Sequence, residues 1–149
     1  MPTSSPTTPP TAKGGAMTSP LDFDPSAWGP CAWTFLHFVS FSYPVRPTSM
    51  QQDTYLQFIT CLGKILPCKT CRQHFTQELK QSKTDMYGLP IFLRSRQQFA
   101  RWLVDVHNKV NAINGKPKKA YDTVDKEYNT NSNLCKTTTT TGTPTTTAA

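Results

Sequence analysis

Apolar residues recur three and four apart in four separate stretches of this chain, and almost nowhere do they alternate with the period of two that a half-buried strand requires. The longest stripe is Phe99, Trp102, Leu103, Val106, Val110 and Ile113, opened by Ser95 with Gln98 at capping-box spacing and stopped by Gly115 and Pro117. A second stripe runs from Ala27 to Tyr43 through Ala32, Phe35, Leu36 and Val39. In a third, Thr48 or Ser49 caps a helix carrying Tyr55, Phe58, Ile59, Leu62, Ile65 and Leu66, which ends before Pro67. The fourth starts at Pro67 or Cys68 and runs towards Lys80 with Cys71, Phe75 and Leu79 in line. A short fifth helix fits between Tyr121 and Tyr128. Between the third and fourth helices in chain order, "KTDMYGLPIFLR" is broken by Gly88 and Pro90. Helices that must each bury one stripe, joined by short loops, predict an all-α, antiparallel four-helix bundle with a short fifth helix.

The helices do not use the whole chain. Of 149 residues, 1–20 are almost entirely Ser, Thr, Pro, Gly and Ala, and the chain closes with "KTTTTTGTPTTTAA". Such stretches bury too little apolar surface to offset the entropy of ordering, so disordered tails are expected at 1–20 and 129–149, around a single domain at 21–128. No stretch approaches the ~18 consecutive apolar residues of a membrane span, and the N-terminus lacks the apolar core of a secretory signal. Within residues 21–128 there are 14 Lys and Arg against nine Asp and Glu. The cations are scattered, with no run flanked by aromatics, so the excess reads as a solvated basic surface rather than a nucleic-acid site.

Three features exceed what a plain bundle needs. Trp33 and His37 lie one turn apart on the first helix, beside its stripe. On the fourth, "HNKVN" puts His107 and Asn111 one turn apart, with Asn108 and Asn114 close by. Asn is a poor helix former, and polar groups at the margin of a core need partners, which water, capping or a planar heteroatom-rich ligand between the two helices could supply. The third feature is "PCKTC": Cys68 in the first turn of a helix, where free amides and the dipole favour a thiolate, with Cys71 one turn inside on the same face. The spacing allows a disulfide, with Cys68 reachable by solvent and Cys71 turned to the bundle. Zinc is the alternative, held by Cys68, Cys71 and His74 with a fourth ligand from Cys61, His107 or Cys135, although no second close-spaced ligand set exists. A thioredoxin-like unit would need flanking strands, and a c-type haem would need His where Arg72 stands.

Taken in order, "WGPCAWTFLH", "LPCKTC" and "HNKVNAINGKP" resemble the Erv/ALR sulfhydryl oxidases, in particular the short single-domain enzymes of large double-stranded DNA viruses, over about Trp28 to Tyr128. The resemblance implies a helical bundle holding FAD without a covalent link, usually as a homodimer. It implies cofactor contacts from Gly29, Trp33, His37, Tyr43, His107, Asn108, Val110, Asn111 and Lys116, with Tyr128 able to stack, and catalysis by Cys68 and Cys71 with no metal. It further implies that a reduced dithiol of a client or small carrier protein opens the disulfide at Cys68, that Cys71 faces the flavin, and that the electrons reach O₂ as hydrogen peroxide. Two family features are missing. A frequent structural disulfide has Val104 and Tyr121 at its two positions, and an Arg-Trp pair near the adenine is replaced by Glu127 and Tyr128.

Of the remaining cysteines, Cys61 is expected to be an inert core thiol and Cys31 to precede the core of the first helix. Cys135 is alone in its arm and cannot form an intramolecular shuttle disulfide by itself. The competing function is a non-catalytic helical adaptor with structural zinc. The resemblance to viral enzymes favours the cytoplasm of an infected host cell, or the virion, as the place of action.

Overall fold

The computed structural model describes residues 22–129. They form α1 (Pro25–Ser42), α2 (Ser49–Ile65), α3 (Lys69–Gln81), a 3-10 turn (Ile91–Arg94), α4 (Arg96–Ile113) and α5 (Tyr121–Asn129). Among the described residues there is no strand, only an isolated bridge between Thr84 and Pro90. The expected tails lie outside the described residues, except for Asn129, which closes α5. No helix among them is long and apolar enough to cross a membrane.

Local chemistry sets most boundaries. α1 begins two residues before the predicted Ala27, because Asp24 accepts a hydrogen bond from the Ser26 amide and Pro25 occupies the first turn, where its missing N–H costs nothing. Thr48 and Gln51 form the capping box of α2, and Ser95 accepts from the Gln98 amide at the start of α4. The predicted break at "KTDMYGLPIFLR" is an ordered turn. Asp85 accepts from the amides of Tyr87 and Leu89, and Gly88 takes a φ of 79°, which other residues rarely adopt.

α1 packs on α4 and α2 on α3; the 3-10 turn fills the space against α4 and α2, and α5 lies across α1 and α4. The main core contains Tyr43, Ile59, Leu66, Phe75, Phe92, Leu93, Phe99 and Val106. A smaller cluster of Phe41, Ala100, Val104 and Val124, flanked by Tyr121 and Tyr128, pins α5. Both positions of the missing family disulfide therefore fall in this second cluster, where apolar contact joins the elements a covalent staple would have joined.

Helical spacing misplaced four residues. Phe35 is 57% exposed, Ile65 71% and Ile113 64%, although all three belong to predicted stripes, and Cys61 is exposed rather than a core thiol. The buried face of α1 is turned towards α4 and carries Leu36, His37, Ser40 and Phe41. Cys31 is likewise exposed.

Candidate active site

α3 opens on the pair of cysteines. Cys68 is the N-cap residue, outside the first turn, and Cys71 lies in that turn; the two are joined in a disulfide with their Cα atoms 5.2 Å apart. The Cys71 amide donates to Cys68 Sγ at 3.1 Å, so the sulfur occupies the position a capping oxygen usually holds. Once the bond opens, that amide and the helix dipole favour a thiolate on Cys68. The elbow before it is held by the Arg72 guanidinium, which donates to the Leu66 carbonyl, and by a close approach of α2 and α3 at Gly63.

The exposures of the two sulfurs run against expectation. Cys68 is only 7% exposed, whereas Cys71 is half-buried and packs against the main core. Cys68 belongs to neither apolar cluster. The segment entering α1 is tied on both sides of it: the Phe23 amide donates to the Pro67 carbonyl at 2.7 Å, and Asp22 accepts from the Lys69 amide at 2.6 Å, one residue either side of Cys68. Sequence reasoning missed this segment. Recognising the Asp24–Pro25 cap would have fixed where it ends.

α1 and α4 bring the other predicted residues together. His37 Nε2 and His107 Nδ1 meet at 3.0 Å, one ring donating to the other, and the Trp33 ring stacks on His107 at 4.1 Å. Tyr128 of α5 completes the group, its ring centroid 5.0 Å from that of His37. Burial, then the neighbouring His107 and the charge of Lys119, hold His37 down to about 4; burial, then Lys119 and Lys116, do the same to His107. Both imidazoles are therefore neutral at pH 7. His37 Nδ1 is buried with no hydrogen-bond partner.

The asparagines of "HNKVN" find partners in the chain itself. Asn108 makes a reciprocal pair with the Lys119 backbone, accepting from its amide at 2.8 Å and donating to its carbonyl at 2.9 Å. Asn111 donates to the Pro117 carbonyl at 3.3 Å, and Asn114 is the C-cap of α4. Asn108 and Asn111 fix the loop that turns into α5, so among the buried polar side-chain atoms of the described residues only His37 Nδ1 lacks a partner. Val110 is half-buried on α4, and Lys116 is exposed on the loop. Tyr43 is apart from the histidine pair. Its hydroxyl donates to the Leu93 carbonyl at 2.7 Å and its ring packs on Tyr55 and Phe99, burial raising its pKa to about 12.

An open cleft of about 550 Å³ between α3 and α4 includes Trp102, Val106 and Asn108 but not the histidine pair. The zinc alternative gains no ligand set: the cysteines are bonded to each other, His74 is exposed, and among the described residues no three His, Cys, Asp or Glu side chains could hold a metal.

A helical fold with a disulfide at the start of α3, packed against the core that Trp33 also lines, defines a thiol-redox class of protein. The chain belongs to the Erv1/Alr family, whose pattern it matches over residues 30–129. It is 33% identical over 96 residues to a protein of Invertebrate iridescent virus 6 named as an FAD-linked sulfhydryl oxidase, a match covering 64% of this chain and 86% of that one. It is 36% identical over 98 residues to a mimivirus protein of the same description, 65% of each chain being covered. The mitochondrial FAD-linked sulfhydryl oxidase ERV1 of Saccharomyces cerevisiae is 34% identical over 90 residues, 60% of this chain and 44% of that one. The chain thus spans most of the iridovirus relative, about two thirds of the mimivirus one and less than half of the yeast one. Among solved structures, the yeast Erv1 core superposes with a TM-score of 0.64 at 29% identity, over 79% of this chain and 96% of that one.

Proposed function

We propose that this chain is an FAD-dependent thiol oxidase that makes disulfides in protein clients. The observation that carries the reading is the Cys68–Cys71 disulfide at the start of α3, with Cys71 packed against the same core as Trp33 of the aromatic site. The residues fit a flavin dinucleotide. His37 Nδ1 is a buried polar atom without a partner, a Cβ built on buried Gly29 would meet nothing within 4 Å, and three aromatic rings, Trp33, His107 and Tyr128, gather around His37. When bound, FAD would supply a two-electron acceptor that passes its electrons to O₂ as hydrogen peroxide.

The chain's own part is thiol exchange. A client thiolate attacks Cys68 Sγ, the Cys68–Cys71 bond breaks, and Cys71 leaves as a thiolate while a mixed disulfide forms. The client's second thiolate then attacks its own sulfur in the mixed disulfide and releases Cys68. The client has lost two electrons and two protons, and Cys68 and Cys71 hold the electron pair. Neutral His37 and His107 place no positive charge at the aromatic site.

The reading includes a homodimer, supported by the apolar side chains left on the outer faces of α1 and α2, and action in the cytoplasm of an infected cell or in the virion, supported by the viral relatives. Purified protein is expected to be yellow and to consume O₂ with a dithiol. Cys68→Ser and Cys71→Ser each abolish turnover and stay yellow, whereas His37→Ala loses colour. Colourless protein that contains zinc would favour the adaptor instead.

A further inference from the structure

We propose that Asp22 and Phe23 form a strap over the sulfur of Cys68 and must lift before a client thiol can reach it; the proposal rests on the oxidase reading. Thiol exchange requires the attacking sulfur to approach along the axis of the bond it breaks. Cys68, at 7% exposure, offers little surface for such an approach, so the chain beside it has to move. The elbow beneath it cannot move cheaply, because Leu66 and Phe75 on either side of the cysteines are buried in the main core.

The strap is held far more lightly. Its ties are the Phe23 amide to the Pro67 carbonyl, the Lys69 amide to Asp22, and a long contact of 3.5 Å from the Trp28 indole N–H to the Phe23 carbonyl. Phe23 is 54% exposed, so lifting it sacrifices little burial. Asp24, the next residue, is fixed as the cap of α1 by the Ser26 amide at 2.8 Å, which makes that cap the hinge. Two hydrogen bonds at a surface are worth little net, so the open form lies within thermal reach and is the form that reacts. In it the client thiolate bonds to Cys68 Sγ, the bond to Cys71 breaks, and the electron pair leaves on Cys71.

The test uses the full oxidised chain without O₂ and follows a single opening of the disulfide by glutathione, through alkylation and mass measurement. Asp22→Ala removes the acceptor for the Lys69 amide and is expected to raise the rate roughly three- to tenfold. Asp22→Asn keeps an acceptor oxygen and should remain within about twofold of the parent. Amide exchange supplies the structural check: Lys69 is protected in the parent and loses protection in Asp22→Ala, while Arg72, whose amide donates to the Cys68 carbonyl, is unchanged. An unchanged or slower rate in Asp22→Ala, or a Lys69 amide already unprotected in the parent, overturns the strap. Failure of the chain to turn over dithiols under O₂ would overturn the oxidase reading instead, and leaves the single-round measurement readable.

Discussion

His37 and His107 share one hydrogen bond, and both have pKa values lowered to about 4 from the usual 6.5. Between these values the unfolded chain takes up protons that the folded chain refuses. Stability contributed by the pair is therefore fully present above pH 6.5 and is lost as pH falls towards 4. Urea unfolding measured across that range should show a plateau, then a decline of at most about 1.4 kcal/mol per pH unit for each proton taken up. His37→Phe should flatten the decline; an equally steep one would place the titrating groups elsewhere. At this scale the sequence was informative where a motif carries its own chemistry. "PCKTC" allowed a disulfide at a helix start, which the structure forms, and Trp33, His37 and His107 did come together. It was silent where a partner lies in a distant loop: nothing in "HNKVN" says that Lys119 and Pro117 will satisfy Asn108 and Asn111, or that Asp22 will reach Lys69.

Between elements, the tightest joint is that of α2 with α3. A Cβ on Gly63 would come within 3.0 Å of Thr76 Oγ1 and 3.3 Å of the Phe75 ring. Gly63→Val, adding two further methyl groups at a helix crossing, should cost about 1–3 kcal/mol in thermal or urea unfolding. No loss would mean that the crossing opens without penalty. The helices themselves were legible because spacing and capping are local: all five appear, with Thr48 the cap of the two candidates and with Ser95 and the stop after Ile113 as read. Which side of each stripe meets a neighbour was not. Periodicity gives a face about a third of a helix wide, and the path of the next helix decides which edge of it is covered. Phe35, Cys61 and Ile65 sit on the edge left open, while His37, read as lying beside the stripe of α1, is buried near its middle. The 3-10 turn at Ile91–Arg94 was missed because four residues carry too short a pattern.

For the whole molecule, the uncovered edges of α1 and α2 belong together. Phe35 meets Phe58 edge to face at 6.5 Å, Cys31 precedes Phe35 by one turn, and Cys61 precedes Ile65 by one turn. If this face joins two copies, light scattering should give twice the chain mass for the parent and a single chain mass for Phe35→Glu combined with Ile65→Lys. A dimer that survives both changes uses another face. Cys135, read as unable to form an intramolecular shuttle disulfide by itself, and the expected tail at 1–20 lie outside the described residues. The active disulfide closes a loop of only three residues in sequence, and among the described residues no other disulfide ties one helix to another. Cross-links stabilise a fold by restricting the unfolded chain, and so short a loop restricts it little compared with one joining distant helices. Between those helices the described architecture rests on non-covalent contacts, packing with a few hydrogen bonds such as that of His37 with His107, so opening and closing the bond leaves the scaffold almost equally stable in both states. Under the proposed mechanism the chain breaks its own covalent link in every cycle, and it is thereby spared the risk of coming apart each time it works.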